Sequence, residues 1–408
     1  MKIMKPFLII GAAVGFLQGN VIAEDVPPNG LAQTPPMGWN SWNTFGEKVS
    51  DEVVRDVADK FLELGLKELG YEYVVIDDHW EGGRDANGHL IPNPKKFPQG
   101  MKALADYIHS KGLKFGIYSD ASAKTCGGEV ASYEHEADDA NTFAGWGVDF
   151  LKYDYCGAPD ELQECIRRYT TMGKTLRATG RPILFSICEW GPRSPWLWAR
   201  KAGGNMWRIS FDVGDFWDSP HNAYSCIGIL AAVDASVNHE KHAGPGGWND
   251  PDMLVVGLGN TGNIKGGGCN SAEYQTQMSM WCILAAPLMI GCDIRNMTDD
   301  TKRILSNPEV IAVDQDKLGK QGHRVARTAS TDVWKKNLTG GALAVALLNR
   351  EDHEMTITAN WKDMKLKDGA NFAVRDLWAR ADLGNFTGSY SAKVGPHATI
   401  LVKLTPVK

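Results

Sequence analysis

The sequence predicts an α/β protein, a (β/α)8 TIM barrel followed by a small C-terminal antiparallel β-sandwich, and three observations carry that expectation. Apolar runs of strand length alternate with helical patterns eight times between positions 37 and 293. Acids and tryptophans recur at the C-terminal ends of those runs: Trp39, Asp77, Asp78, Asp120, Asp154, Glu189, Asp212 and Asp250. In a barrel these ends converge on one mouth, whereas in an open sheet they would lie along a line. After Asp316 the pattern changes to short β-branched runs between Gly and Asn-Asp turns, with no helix of useful length.

The chain opens with Lys2 and Lys5, an apolar run over 6–17, and Val21-Ile22-Ala23 before Glu24, the layout of a secretory signal over 1–23 cut after Ala23. Gly11 and Gly15 interrupt a run already short for a membrane anchor, and no later segment is apolar enough to span. Export to the periplasm or the medium is therefore expected, with no membrane partner once the signal is gone. The barrel is assigned to 24–318 and the sandwich to 322–408.

A proline-bearing linker at 29–36 leads into the first strand, 37–43. Val53, Val54, Val57, Ala58, Phe61, Leu62 and Gly65 recur at helical spacing over 51–70, with Ser50 as N-cap and Gly70 as stop. Strands follow at 71–78, 114–120, 150–156, 183–190, 206–213, 243–252 and 283–293, with helical patterns such as 101–111 and 221–238 between them. Most are nearly continuous apolar runs, as strands covered on both faces should be. The sandwich strands are expected around Val333-Trp334 and at 342–348, 354–357, 372–377 and 398–404.

A formal net charge of −6 leaves no basic footprint for nucleic acid and no field for acidic ligands, so a neutral substrate fits best. The eight cysteines (126, 156, 165, 188, 226, 269, 282, 292) are spread too widely for a zinc signature, while export permits a disulfide. Asn296, Asn337 and Asn385 each begin an Asn-x-Thr sequon, meaningful only in a glycosylating host.

Chemistry enters at Phe150-Leu151-Lys152-Tyr153-Asp154-Tyr155-Cys156. Strand alternation puts Phe150, Lys152, Asp154 and Cys156 on one face. An ammonium beside Asp154 would lower its pKa, which suits a carboxylate that attacks. The plainer alternative is an ion pair closing a strand. Glycosidic cleavage needs a second carboxyl to protonate the leaving oxygen. Asp212 supplies one, four residues after Arg208 on the same face, and is expected to lack a close cation so that it can hold its proton. An N-cap role is the alternative there. Asp77 and Asp78 are good acceptors for vicinal sugar hydroxyls if the strand frays at its end. A metal reading is weak because His79 has no second histidine at ligand spacing. Trp39, Trp190 and Trp248 lie beside these acids, and aromatic faces suit the C–H side of a pyranose.

The segments PPMGWNSWN (35–43), YVVIDDHW (73–80), GIYSDA (116–121), VDFLKYDYC (148–156), CEWG (188–191), WRISFDV (207–213), GGWNDPDM (246–253) and VDQDKLGKQG (313–322) resemble glycoside hydrolase family 27, the α-galactosidase family, motif by motif and in order. The resemblance implies a retaining hydrolase of terminal α-galactosides with Asp154 as nucleophile and Asp212 as acid/base. It implies galactose binding by Trp39, Asp77, Asp78, Tyr118, Lys152, Glu189, Trp190, Arg208, Asp252 and Met253, a disulfide between Cys126 and Cys156, and neither metal nor cofactor. Three positions depart from family patterns. Tyr155 stands where relatives often carry a small or amide side chain. Gly204 stands where the partner of Cys188 lies in members with a further disulfide. His79 replaces a cysteine of some animal members.

Within the family, N-acetylgalactosaminidases carry a small residue at the position of Glu189, and β-L-arabinopyranosidases alter the acid that holds the hydroxymethyl group. Glu189, Asp77 and Asp78 therefore imply galactose over these and over an isomalto-glucan substrate. A non-catalytic carbohydrate-binding relative is disfavoured by the presence of Asp154, Asp212, Lys152 and Arg208 together.

Overall fold

The computed structural model describes residues 25–218, 226–264 and 266–407. The signal expected at 1–23, and part of the helix expected at 221–238, lie outside the described residues.

Eight short parallel strands form the barrel: β1 Met37–Asn40, β2 Tyr73–Val75, β3 Lys114–Asp120, β4 Phe150–Asp154, β5 Leu184–Ile187, β6 Met206–Arg208, β7 Trp248–Asp250 and β8 Leu288–Ile290. They pair in the order β8-β1-β2-β3-β4-β5-β6-β7. Leu254, just past β7, makes a parallel bridge to Ile290 and closes the ring. Its N–H donates to Met289 O at 2.8 Å and its carbonyl accepts from Gly291 N at 3.0 Å.

Several strands are shorter than their apolar runs, for local reasons. In the run expected at 243–252, Gly244 and Gly247 bridge each other in a turn, leaving only Trp248–Asp250 extended. Positions 283 and 284 belong instead to the helix Ser271–Leu284, which ends at Ala285 in the left-handed region (φ 51). The first helix covers Asp51–Glu63, with the Ser50 side chain accepting from Val53 N as expected of an N-cap. The chain reaches Gly70 (φ 101) only after a further 3-10 turn at Lys67–Leu69. Between β5 and β6 stands a single 3-10 turn, Pro195–Leu197, and the helix expected over 221–238 is described as Ile229–Ala235.

The N-terminal half of the barrel interior is plugged by Tyr73, Val75, Phe150, Leu184, Met206 and Met289. Burying each of these side chains stabilises the fold by about 1.5–3 kcal/mol. Towards the C-terminal end the lumen turns polar, lined by Asn40, Lys152, Ser186, Arg208 and Asp250. Polar groups therefore gather at one end of an otherwise apolar barrel.

The C-terminal domain has one six-stranded antiparallel sheet and one two-stranded sheet, as expected of a sandwich. Its core includes Val345, Leu347, Trp361, Phe372, Val374 and Val402. Three of its strands, His323–Arg327, Ala381–Thr387 and Ser389–Val394, were not expected from the sequence, and Ala381–Thr387 is largely exposed, so its residues show no apolar alternation. The domain packs on the barrel core through apolar side chains such as Trp334, Leu348, Leu377 and Leu401, and through polar contacts. Lys336 Nζ donates to Cys282 O at 2.8 Å, Trp378 Nε1 to Ser279 Oγ at 2.9 Å, and Asp234 accepts from Arg350 and Arg324 at 2.6 and 2.8 Å.

Candidate active site

The site is built on β4. Leu151 and Tyr153 are fully buried among the barrel core residues, Tyr153 edge-on to Tyr169. That leaves Lys152 and Asp154 to line a cavity at the C-terminal mouth, about 420 Å3 of atom-free space open on one side. Asp77 and Asp78 reach the same cavity because β2 stops at Val75 and the chain turns beyond it. Asn40 donates to Asp77 at 2.7 Å, and Gly127 N donates to Asp78 at 2.6 Å. Arg208 ends β6, and Asp212 follows on the turn beyond.

Ten of the twelve residues expected to catalyse or bind line this cavity: Asp77, Asp78, Tyr118, Lys152, Asp154, Trp190, Arg208, Asp212, Asp252 and Met253. The other two do not. Trp39 is fully buried and its indole N–H donates to Cys292 O at 2.9 Å, so it packs behind the wall. Trp42, three residues on in the short helix Trp42–Phe45, takes the place at the cavity. Glu189 is also fully buried, its carboxylate accepting from the backbone of Gly191 and Arg193 and pairing with the Arg193 guanidinium at 3.2 Å. Burial raises its carboxyl to about 7 against the pull of Arg193. Cys188 is the residue of this segment that lines the cavity beside Trp190, so the steric argument that favoured galactose through Glu189 falls on Cys188 instead. Trp248, expected in the platform, is sealed with its indole on Ala32 O. Trp42, Asn43 and Cys188 were missed; all three lie inside motifs already singled out, but neighbouring residues in those motifs drew the assignment.

Two electrostatic expectations are corrected. Lys152 does not pair with Asp154: its ammonium lies 2.8 Å from Asp77 Oδ2. Burial raises the Asp154 carboxyl to about 6, with Lys152 pulling it down and Asp77 and Asp212 pushing it up. Nor does Asp212 lack a cation, since Arg208 Nη2 lies 2.9 Å from its Oδ1, while Nη1 lies 3.0 Å from Asp252. Burial and Asp212 both raise the Asp252 carboxyl against the pull of Arg208. What separates the two acids is depth: Asp154 is 5 % exposed, whereas the Asp212 side chain is 42 % exposed at the rim.

Four buried polar atoms on the lining residues have no hydrogen-bond partner among the described residues: Asp154 Oδ1, the Tyr118 hydroxyl, Arg208 Nε and Asn43 Nδ2. Such a group costs about 1–3 kcal/mol until a partner arrives. Cys126 and Cys156 form the disulfide the family resemblance implied, at the edge of the cavity. The Cys126 sulfur lies 3.4 Å from Asp154 Oδ2; as half of a disulfide it has no proton to donate, so this is packing. Cations, carboxylates, a phenol and two indole rings around unpartnered polar atoms make a receptor for a neutral polyhydroxylated ring.

A family model described as alpha galactosidase A matches residues 34–316, and one described as the alpha galactosidase C-terminal beta sandwich domain matches 328–404. The chain belongs to the α-galactosidase A family. An α-galactosidase of Cyamopsis tetragonoloba is 47% identical over 381 residues, covering 93% of this chain and 88% of the relative. Alpha-galactosidase A of Cellvibrio japonicus is 42% identical over 416 residues, 99% of this chain and 100% of that one. The crystal structure of α-galactosidase I from Mortierella vinacea superposes with a TM-score of 0.87 at 40% identity, covering 92% of this chain and 98% of that one. As a member of the α-galactosidase family, the protein is a glycoside hydrolase acting on α-galactosides. Among the described residues no helix is long and apolar enough to cross a membrane.

Proposed function

We propose that the protein removes terminal α-linked D-galactose with retention of anomeric configuration, Asp154 acting as nucleophile and Asp212 as acid/base. The observation that carries this reading is the placement of both carboxylates on one cavity, one at the floor and one at the rim. In the first displacement a carboxylate oxygen of Asp154 bonds to the anomeric carbon as the bond to the leaving oxygen breaks, and Asp212 gives that oxygen its proton. In the second, Asp212 takes a proton from water, which displaces Asp154 from the covalent galactosyl-enzyme.

Binding prepares these steps. Asp77 and Asp78 accept sugar hydroxyl protons, and Lys152 and Arg208 donate to hydroxyl oxygens. A hydroxyl that takes an N–H of Arg208 loosens its pair with Asp212, freeing that carboxyl to carry a proton. Trp42 and Trp190 offer aromatic faces to the apolar side of the ring. Asp77 and Asp78 together favour a sugar bearing a hydroxymethyl group over an arabinopyranoside. The chain is proposed to act after export, with the barrel over 24–318 and the sandwich over 322–408. Proton NMR of p-nitrophenyl α-D-galactoside hydrolysis tests the reading: α-galactose must form first, and first-formed β-galactose, or cleavage of the α-glucoside or β-L-arabinopyranoside in its place, sinks it.

A further inference from the structure

His79 does not itself line the cavity, yet it contacts three of the parts that shape it. Its backbone N–H donates to Asp78 Oδ1 at 2.7 Å. Its ring stacks on Trp42 at 6.2 Å between centroids and 15° between planes. Its Nδ1 lies 3.3 Å from Glu129 on the loop that carries Cys126. That loop closes tightly against it. Gly127 packs so near that an added Cβ would fall 2.4 Å from His79 Cε1 and 3.0 Å from Asp78 Oδ2, and Gly127 N donates to that same oxygen. His79 itself is held in the left-handed region, at φ 72, which is uncommon for a residue with a side chain. Lys96 Nζ donates to its carbonyl at 2.8 Å and anchors the strained turn from behind.

We infer that His79 is a positioning residue for galactose: it locks Trp42, Asp78 and the disulfide loop into one wall, and so sets affinity for the sugar with little influence on bond cleavage. The inference rests on the cavity being the galactose site. His79 contacts neither Asp154 nor Asp212, and the Cys126 sulfur that packs 3.4 Å from Asp154 is held by its disulfide to Cys156, so loosening the wall acts chiefly on the sugar-binding groups. Strain at a non-glycine residue persists only where surrounding contacts over-determine it, and those contacts here are to the binding wall.

The test uses the whole chain and two substitutions that leave the backbone undisturbed. His79→Asn suits the left-handed conformation and keeps the N–H for Asp78 but removes the ring. Glu129→Gln, on a side chain 42 % exposed, keeps the ring and replaces the carboxylate it leans on with a weaker neutral acceptor. For His79→Asn the KM for p-nitrophenyl α-D-galactoside and the inhibition constant of free galactose should rise together, about tenfold, with kcat within about twofold. Glu129→Gln should move both constants the same way by about two- to threefold. Unchanged galactose inhibition in His79→Asn, or a loss confined to kcat, overturns the inference while wild-type turnover stands. Wild-type protein that neither hydrolyses the galactoside nor binds galactose overturns the reading of the cavity, and this inference with it.

Discussion

The Lys152 ammonium lies 2.8 Å from Asp77 Oδ2 and shares a strand face with Asp154, so one buried cation acts on two carboxylates. Burial works against its charge, but Asp77 and Asp154 outweigh it and keep Lys152 protonated well above the ordinary range.

That arrangement fixes the sign of a pH effect. With Asp154 raised to about 6 by burial, kcat/KM should fall as pH drops through that value, because the nucleophile must be ionised. Lys152 is the largest influence pulling the carboxyl down. Lys152→Met should therefore move the acid limb to higher pH, besides raising KM. A pH–rate profile checks this, and a limb that stays put or moves to lower pH contradicts it.

Asp212→Asn should slow substrates in proportion to how much proton their leaving group needs. Melibiose, whose leaving group is a glucose hydroxyl, should lose the most, and p-nitrophenyl α-D-galactoside the least, with a gap of at least about tenfold. Equal losses on the two would remove Asp212 from the acid role. Its side chain is 42 % exposed, so the variant should melt close to wild type.

The barrel was legible because strands covered on both faces read as apolar runs ending in acids, and the convergence of those ends is a property of the fold. Which residue of each run faces the cavity was less legible. Alternation assigns faces only while a strand continues, and β5 stops at Ile187, two residues before Glu189, after which a turn presents Cys188 and Trp190. At the first strand the sequence points to Trp39, yet its indole bonds Cys292 behind the wall and Trp42, three residues on, faces the cavity. Charge pairing was illegible for a different reason. Lys152 and Asp154 are neighbours on one strand, whereas the partner Lys152 takes lies 75 residues away in sequence. The exposed strand Ala381–Thr387 had no signal to find, since neither of its faces is consistently apolar.

A charge cluster at the junction of the two domains should contribute to stability and leave turnover alone. Asp234, on the barrel helix Ile229–Ala235, accepts from Arg350 and Arg324, and Arg350 also bonds the fully buried Asp332 at 2.6 Å. Burial would raise the Asp234 carboxyl, but the arginines, Arg350 first, hold it below the usual range. Asp234→Ala strips half-buried guanidinium groups of one partner and should destabilise by about 1–3 kcal/mol, with kcat and KM unchanged at low temperature. Wild-type thermal stability, or an altered KM, would show that the cluster does something else.

Asp154→Asn joins loss of activity to a gain in stability, with a pH dependence whose sign follows from burial. The folded protein binds the Asp154 proton more tightly than the unfolded chain does, since the carboxyl is raised from 3.8 to about 6. Its contribution to stability is full below the lower value and is lost as pH rises through the upper one. Above that, the folded state carries a buried carboxylate whose Oδ1 has no partner, and the deficit relative to a neutral side chain approaches about 3 kcal/mol. Asparagine has no charge to bury. The variant should therefore melt at a higher temperature than wild type near pH 7, the difference shrinking steadily towards pH 4 and levelling off above pH 7, while turnover is abolished and no covalent intermediate accumulates. Thermal melts of both proteins across that range measure it. A difference that ignores pH would mean that the buried charge is already neutralised by Lys152, and a difference of opposite slope would mean that the cation stabilises the carboxylate outright.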